Sequence, residues 1–132
     1  MPALLEVKNL TKVYDDGTRA LTDVSFSVER GEFVVLLGLS GSGKSTLLRC
    51  INRLVDPTSG KVIFDGKDVT AASFNELCRI RRDIGMIFQQ FNLVRRSSVL
   101  RNVLSGRLGY VGTWRSILGL WSTDDRRRAR EA

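Results

Sequence analysis

The stretch GLSGSGKST at residues 38–46 decides how the rest of this chain is interpreted. Its glycine and serine residues are poor helix formers. The run EFVVLL at residues 32–37 comes before it and is apolar on both faces, which predicts a buried central strand with a parallel neighbour on each side. The run LLRCINRL at residues 47–54 follows it with apolar residues at helical spacing. The sequence therefore predicts a strand, a tight loop and a helix in succession.

The loop matches the pattern G-x-x-x-x-G-K-[ST] through Gly38, Gly43, Lys44 and Ser45. Glycines let the backbone N–H groups curl around an anion, and the helix that begins near Lys44 adds its positive end. Lys44 can reach the β- and γ-phosphates, Ser45 can ligate Mg²⁺, and Thr46 can donate to a phosphate oxygen. A glycine-rich turn with an incidental lysine is the alternative, but the strand and helix around the loop favour a nucleoside triphosphate site. The residues predicted to bind it are Gly38, Ser40, Gly41, Ser42, Gly43, Lys44, Ser45 and Thr46.

The composition is that of an ordinary globular domain, with 132 residues, 42% of them hydrophobic and 27% charged. The net charge of +7 permits nucleic acid, anionic lipid or phosphate ligands without selecting one of them. Cys50 and Cys78 lack metal-site spacing and are interpreted as buried small residues in a reducing compartment. The chain contains no histidine, which excludes a histidine base or metal ligand within it.

Periodicity predicts the other elements. Predicted strands occupy residues 4–14, 21–29 and 83–88, in addition to 32–37. Asp65 and Gly66 predict a hairpin turn within residues 61–69. Predicted helices occupy residues 74–82, the residues after Ser98 as N-cap, and those after Thr123. The helix after the loop is predicted to end at Pro57 and to face the core with Leu47, Leu48, Ile51, Leu54 and Val55.

Four stretches give the chain a resemblance to the ATP-binding subunits of ABC transporters, from about Leu4 to its end. They are NLTKVY at residues 9–14, GLSGSGKSTLLRCINRLVDPTSGKVIFDG at 38–66, IGMIFQQFNL at 84–93 and SVLRNVLSGRLG at 98–109. The resemblance implies an α/β fold, that of the ABC ATPase nucleotide-binding domain among the P-loop NTPases. Residues 1–132 would form its N-terminal part, with an antiparallel β subdomain and the start of the parallel core sheet and of the helical subdomain.

The resemblance also implies roles for two residues outside the loop. Tyr14 resembles the family's aromatic residue that stacks on adenine, although the residues alone also allow a plain aromatic at a strand end. Gln89 resembles the family's glutamine that contacts Mg²⁺ and water, although it could simply be a polar residue after a buried strand. The implied catalytic residues are Lys44 and Gln89, the implied metal ligands are Ser45 and Gln89, and the implied cofactors are ATP and Mg²⁺.

A narrower resemblance points to the substrate. FNLVRRSSVLRNVLSGRLGY at residues 91–110, with TWRSILGLW at 113–121, is similar to the phosphonate-import ATPases, although Ser97 stands where we expect leucine. Relatives that import amino acids share IFQQFNL but usually not the RLGY…W continuation. The resemblance implies ATP hydrolysis coupled to phosphonate import. Two alternatives stay open: another ABC importer, for polar amino acids or similar substrates, and a non-transport ABC protein such as a translation or repair factor.

The family also implies partners. These are membrane permease subunits, a second copy of the ATPase in a homodimer and, indirectly, a periplasmic or extracellular binding protein, with the ATPase at the cytoplasmic face of the cell membrane. We expect no nucleic-acid partner and interpret RRRAR at residues 126–130 as a solvated helix face, with a nucleic-acid or lipid contact as the alternative. A stripe at helical spacing is either core-facing or a groove for a permease helix; it comprises Trp114, Ile117, Leu118 and Trp121.

The motifs that complete the family's catalytic site do not occur in these residues. The sequence contains no LSGGQ signature, no apolar run ending in Asp-Glu and no switch histidine. VIFD at residues 62–65 is similar to a Walker B strand, but Gly66 directly after Asp65 favours a hairpin turn. We therefore expect residues 1–132 to be the N-terminal half of an ATPase, which binds nucleotide at best and lacks turnover by itself.

Overall fold

The computed structural model describes residues 3–89, 93–111, 114 and 119–131. The chain divides into two units, Met1–Ile84 and Gly85–Ala132. Among the described residues, no helix has the length and apolar character needed to cross a lipid bilayer.

An antiparallel sheet of four strands forms the first unit, in the order β2-β1-β3-β4. The strands are β1, Leu5–Val13; β2, Arg19–Val28; β3, Ser59–Phe64; and β4, Lys67–Asp68. The predicted strands at residues 4–14 and 21–29 are thus confirmed. The predicted hairpin is confirmed as well, because Asp65 and Gly66 join β3 to β4 with positive φ values of 48° and 74°.

Two helices belong with this sheet in the first unit. They are α1, Lys44–Ile51, and α2, Phe74–Asp83. Ser73 and Glu76 form a capping box at the start of α2, which satisfies backbone N–H groups that the helix leaves free. One apolar cluster joins sheet and helices; its buried members are Val7, Leu10, Leu21, Leu47, Cys50, Val62, Val69, Leu77 and Ile80.

The predicted strands at residues 32–37 and 83–88 are wrong. Residues 32–37 form no strand and lie exposed, with Phe33 and Leu37 each 90% exposed. Residues 84–88 form no strand either, and Ile87 is fully exposed. Both segments are apolar, as buried strands are, but a strand also needs a neighbour to hydrogen-bond with. No described segment pairs with either of them.

Helix α1 is shorter than predicted, since it ends at Ile51 instead of continuing to Pro57. Arg53 takes a left-handed φ of 54°, and the Arg81 guanidinium donates to the carbonyl oxygens of Asn52 and Arg53 at 2.9 and 2.7 Å. These contacts satisfy carbonyl groups at the helix end. The predicted apolar stripe is correspondingly incomplete: Leu48 and Leu54 are each 47% exposed, whereas Cys50 is buried.

The second unit contains α3, Val99–Ser105, a 3₁₀ turn at Leu108–Tyr110, and α4, Thr123–Glu131. The prediction that Ser98 caps α3 is confirmed, because its side chain accepts from the Arg101 backbone N–H. Arg107 pairs with the buried Asp125 at 2.8 Å. The Ser122 hydroxyl donates to the same carboxylate at 2.6 Å, and together the two partners hold the pKa of Asp125 below its usual value, with the hydroxyl as the larger cause.

The predicted tryptophan stripe falls mostly outside the described residues. Ile117 and Leu118 lie outside them, Trp121 is half-buried and Trp114 is 79% exposed. For Trp114, the core-facing interpretation is therefore wrong.

Candidate nucleotide-binding site

The loop at residues 38–46 follows the exposed segment 32–37 and includes the first residues of α1. Two glycines in it have left-handed backbones, Gly41 with φ 79° and Gly43 with φ 86°. The Ser42 N–H donates to the Leu39 carbonyl at 3.2 Å, which closes a turn inside the loop. These residues give the loop the tight curvature that the glycine-rich motif predicts.

The strictest steric requirement in the loop falls on Gly43. A Cβ atom at this position would lie 2.2 Å from the Ala20 carbonyl oxygen and 3.2 Å from Leu21 Cδ2. Glycine therefore lets the start of α1 approach the backbone of β2 directly. The Gly43 carbonyl accepts from the Leu47 N–H at 2.8 Å, the first hydrogen bond of the helix.

The Lys44 ammonium group is held inside the loop. Its Nζ donates to the carbonyl oxygens of Gly38 and Leu39, both at 2.7 Å, and to Ser42 Oγ at 3.1 Å. A lysine ammonium has three N–H donors, and these contacts match that number. A phosphate oxygen competes well with these neutral acceptors for the Lys44 ammonium, because a hydrogen bond between two charged groups is stronger than one to a neutral oxygen.

The first turn of α1 is suited to an anion. Helix α1 has no acidic residue in its first turn, and its N-cap, Gly43, makes no side-chain cap. The N–H groups of a first helical turn lack partners within the helix and carry the positive end of the dipole. Ser45 is exposed at this turn and Thr46 is half-buried, so these two predicted ligands lie together at the start of α1.

Tyr14 reaches the same helix end from another part of the sequence. Its hydroxyl lies 3.3 Å from Thr46 Oγ1, although the two residues are 32 positions apart. The Lys12 ammonium lies over the Tyr14 ring, 5.1 Å from its centroid, at the distance of a cation–π contact. Sequence reasoning missed Lys12, but its spacing from Tyr14 was a usable signal, since residues i and i+2 of the strand predicted at residues 4–14 would share a face.

A short hairpin turn follows Tyr14. The Tyr14 N–H donates to the Thr18 carbonyl, and the Gly17 N–H donates to the Tyr14 carbonyl, each at 2.9 Å. The Thr18 N–H donates to Asp16 Oδ1 at 2.9 Å, and this hydrogen bond is the main cause that lowers the pKa of Asp16. The turn beside the ring is therefore ordered by its own backbone and carries a negative charge.

The predictions for Gln89 and Asp65 differ in what the structure shows of them. Gln89 is exposed and belongs to the second unit, so its role at a metal ion stays a prediction. Asp65 sits in the turn between β3 and β4 and pairs with Arg30, which confirms the hairpin interpretation of VIFD over a Walker B strand.

The oxygen donors at the loop suit a hard cation such as Mg²⁺, which takes one or two protein ligands together with phosphate oxygens. Ser45 offers a hydroxyl of this kind in the first turn of α1. Within the described ranges, no group of three or more Cys, His, Asp or Glu side chains is arranged to hold a metal by itself.

The loop and the fold around it define a P-loop NTPase. Residues 21–132 match the ABC transporter family, and this chain belongs to that family. The chain is 55% identical over 129 residues to the phosphonates import ATP-binding protein PhnC of Lactobacillus johnsonii, covering 98% of this chain and 51% of that protein. It is 56% identical over 128 residues to the protein of the same name from Staphylococcus saprophyticus, covering 97% of this chain and 50% of that protein. The chain thus spans about half the length of these curated relatives.

Similar solved structures support the family assignment. A dimeric, post-hydrolysis structure of the ATP-binding cassette MJ0796 bound to ADP and Pi superposes with a TM-score of 0.80 at 39% identity, covering 96% of this chain and 54% of that one. CbiO1 from Clostridium perfringens, part of the transporter complex cbiONQ, gives a TM-score of 0.69 at 31% identity, covering 97% of this chain and 47% of that one. The ABC ATPase fold inferred from the sequence is confirmed, apart from the two strands that do not form.

Proposed function

We propose that this chain is the nucleotide-binding, N-terminal part of the ATP-binding subunit of an ABC importer. In the whole protein, ATP hydrolysis would drive phosphonate uptake across the cytoplasmic membrane. The observation that carries the proposal is the Lys44 ammonium, which lies inside a curled loop at the start of α1. The relatives named for phosphonate import supply the substrate class.

Each part of the loop has a task in this proposal. The backbone from Gly38 to Thr46, including Ser40, Gly41, Ser42 and Gly43, surrounds the phosphate groups with N–H donors. Lys44 contacts the β- and γ-phosphates, where its charge offsets the charge that accumulates during phosphoryl transfer. The contacts of Nζ with Gly38 and Leu39 support this role, because they hold the ammonium at the loop.

The base and the metal are assigned to residues around the loop. Tyr14 stacks on adenine, and its hydroxyl contact with Thr46 supports this, because it joins the ring to the helix that bears the phosphate loop. Ser45 and Gln89 are the proposed ligands of Mg²⁺, and Gln89 also contacts the water. When bound, Mg²⁺ would neutralise negative charge on the phosphate groups.

The proposed partners follow from the similar proteins. The whole subunit forms a homodimer, as the dimeric ATP-binding cassette does, and binds membrane permease subunits at the cytoplasmic face of the membrane. An extracellular or periplasmic binding protein delivers the substrate to the permease. Among the comparisons, membership of the ABC transporter family supports the permease, and the names of the relatives support an importer.

The assignment of the phosphate loop is tested with Lys44→Ala in the full-length protein. We expect loss of MgATP hydrolysis, because the ammonium at the loop is removed. Lys67→Ala is the matched control, since Lys67 is an exposed lysine at the start of β4. Hydrolysis by the Lys44 variant at the wild-type rate would refute the assignment of this loop.

The test of substrate is uptake of an isotope-labelled alkylphosphonate by cells that lack the encoding gene and carry either the wild-type or the Lys44→Ala gene. We expect uptake with the wild-type gene alone. Uptake of a polar amino acid in its place, with no response to phosphonate, would support the other importer class and refute the phosphonate assignment.

A further inference from the structure

The last residue of β1, Val13, is bound by the side chain of Thr58, which lies outside the phosphate loop at residues 38–46. The Val13 N–H donates to Thr58 Oγ1 at 2.9 Å, and the Thr58 hydroxyl donates to the Val13 carbonyl at 3.2 Å. The Thr58 N–H also donates to the Thr11 carbonyl at 2.8 Å. In an antiparallel strand, the N–H and C=O of one residue point to the same side. Because β3 begins only at Ser59 and its register with β1 ends at Thr11, the Thr58 hydroxyl binds Val13 on the β3 side of the strand.

The backbone of the next residue, Tyr14, is held by hydrogen bonds to the turn that follows it. Both backbone groups of Tyr14 are bonded across the short turn, its N–H to Thr18 and its carbonyl to Gly17. The backbone through Val13 and Tyr14 is therefore hydrogen-bonded alternately toward β3 and toward the turn. This alternation determines the direction in which the Tyr14 side chain leaves the chain.

The ring itself has two more contacts, one with the start of α1 and one with a residue of β1. Its hydroxyl lies 3.3 Å from Thr46 Oγ1, and the Lys12 ammonium lies 5.1 Å from its centroid. These two contacts hold the ring in one orientation. Ordering a free side chain on binding costs affinity, so a ring that is already ordered binds its ligand more tightly.

We propose that Thr58 is a positioning residue for the nucleotide base. Its hydroxyl fixes the end of β1, and the Tyr14 ring is thereby ordered as a stacking surface before the base arrives. The inference rests on the proposed stacking role of Tyr14. It predicts that Thr58 affects the binding of nucleotides with a base and leaves the binding of their phosphate chain unchanged.

The experiment compares two ligands in the full-length protein, ATP and inorganic tripolyphosphate, both with Mg²⁺. Thr58→Val removes the hydroxyl at nearly constant shape, Thr58→Ser keeps it, and Tyr14→Ala removes the ring. Thr22→Val is the matched control, because Thr22 is an exposed threonine of β2. Titration calorimetry gives both affinities, and thermal melting measures stability separately.

For Thr58→Val, we expect ATP affinity to fall about two- to tenfold, the range that one or two net hydrogen bonds produce, with tripolyphosphate affinity unchanged. Thr58→Ser should bind both ligands as the wild type does. Equal losses for both ligands would overturn the inference, since they would indicate general damage to the unit.

Two other results separate the two proposals. If Tyr14→Ala weakens ATP while Thr58→Val does not, the base site stands and the positioning role of Thr58 is refuted. If Tyr14→Ala binds ATP as tightly as the wild type, the stacking role fails, and the inference built on it is refuted as well.

Discussion

Replacing Gly43 by alanine perturbs the phosphate loop at its tightest point. The backbone at this residue is left-handed, with φ 86°, which costs an L-residue about 1–2 kcal/mol. The added Cβ would also lie 2.2 Å from the Ala20 carbonyl oxygen, which belongs to backbone and cannot rotate away. Overpacking of this kind costs about 1–3 kcal/mol. We therefore expect Gly43→Ala to lower the free energy of unfolding by roughly 2–5 kcal/mol in total.

Gly41→Ala provides the matched control within the same loop. Gly41 has nearly the same backbone angle, φ 79°, but a Cβ there would meet nothing within 4 Å. Its expected cost is thus the conformational part alone, about 1–2 kcal/mol. The difference between the two variants isolates the contact between the loop and β2.

The assay is urea unfolding of the full-length protein, followed by ATP titration of each variant under conditions where it is folded. Gly43→Ala should also bind ATP more weakly than Gly41→Ala, because the clash pushes the start of α1 and its N–H groups away from β2. Equal stability losses in the two variants would show that the approach to Ala20 does not restrict the loop, and the steric argument would be wrong.

Three further predictions concern the base, the thiols and the apolar segment. Tyr14→Ala should weaken ATP binding by about 1–3 kcal/mol, the range for stacking of a base on an aromatic ring, as measured with a fluorescent ATP analogue; an unchanged affinity would refute stacking. Iodoacetamide should modify the half-buried Cys78 well before Cys50, because Cys50 is fully buried and burial raises the pKa of its thiol. Peptide mass spectrometry measures the labelling of each thiol, and equal labelling of the two would show that α1 does not pack as described. A polypeptide of residues 1–132 alone should bind a hydrophobic dye, self-associate and melt without a sharp transition. The reason is the apolar run at residues 33–39, in which Phe33 and Leu37 are each 90% exposed. A monomer in gel filtration with a cooperative melt would contradict this prediction.

Short-range features of this protein were predictable from the sequence alone. The loop at residues 38–46 follows from glycines and a lysine at fixed spacing, and its curled backbone uses the left-handed angles that glycine supplies. The turn at Asp65 and the cap at Ser98 also formed where the sequence predicted them. In each case the residues that make the structure are within a few positions of one another, so their chemistry is sufficient to specify it.

Strand pairing, in contrast, could not be predicted from the local sequence. The runs at residues 32–37 and 83–88 have the apolar composition of buried strands, yet neither forms one among the described residues. Periodicity reports which faces of a segment avoid water, but a strand also needs hydrogen bonds from a neighbour that the segment does not contain. The end of α1 was mispredicted for the same reason, because Arg81 of α2 binds the carbonyl groups there.

The candidate site combines both kinds of information. Residue types and spacing identified the phosphate loop and suggested Tyr14, whereas only the tertiary structure placed Tyr14 beside Thr46 and Gly43 against Ala20. It also showed that the Thr58 hydroxyl binds Val13, 45 positions away. Such contacts depend on the register in which β1 pairs with β2 and β3, and that register is set by the packing of all the strands together. A loop closed by its own residues can be inferred locally, but a contact between distant residues exists only once the sheet has brought them together.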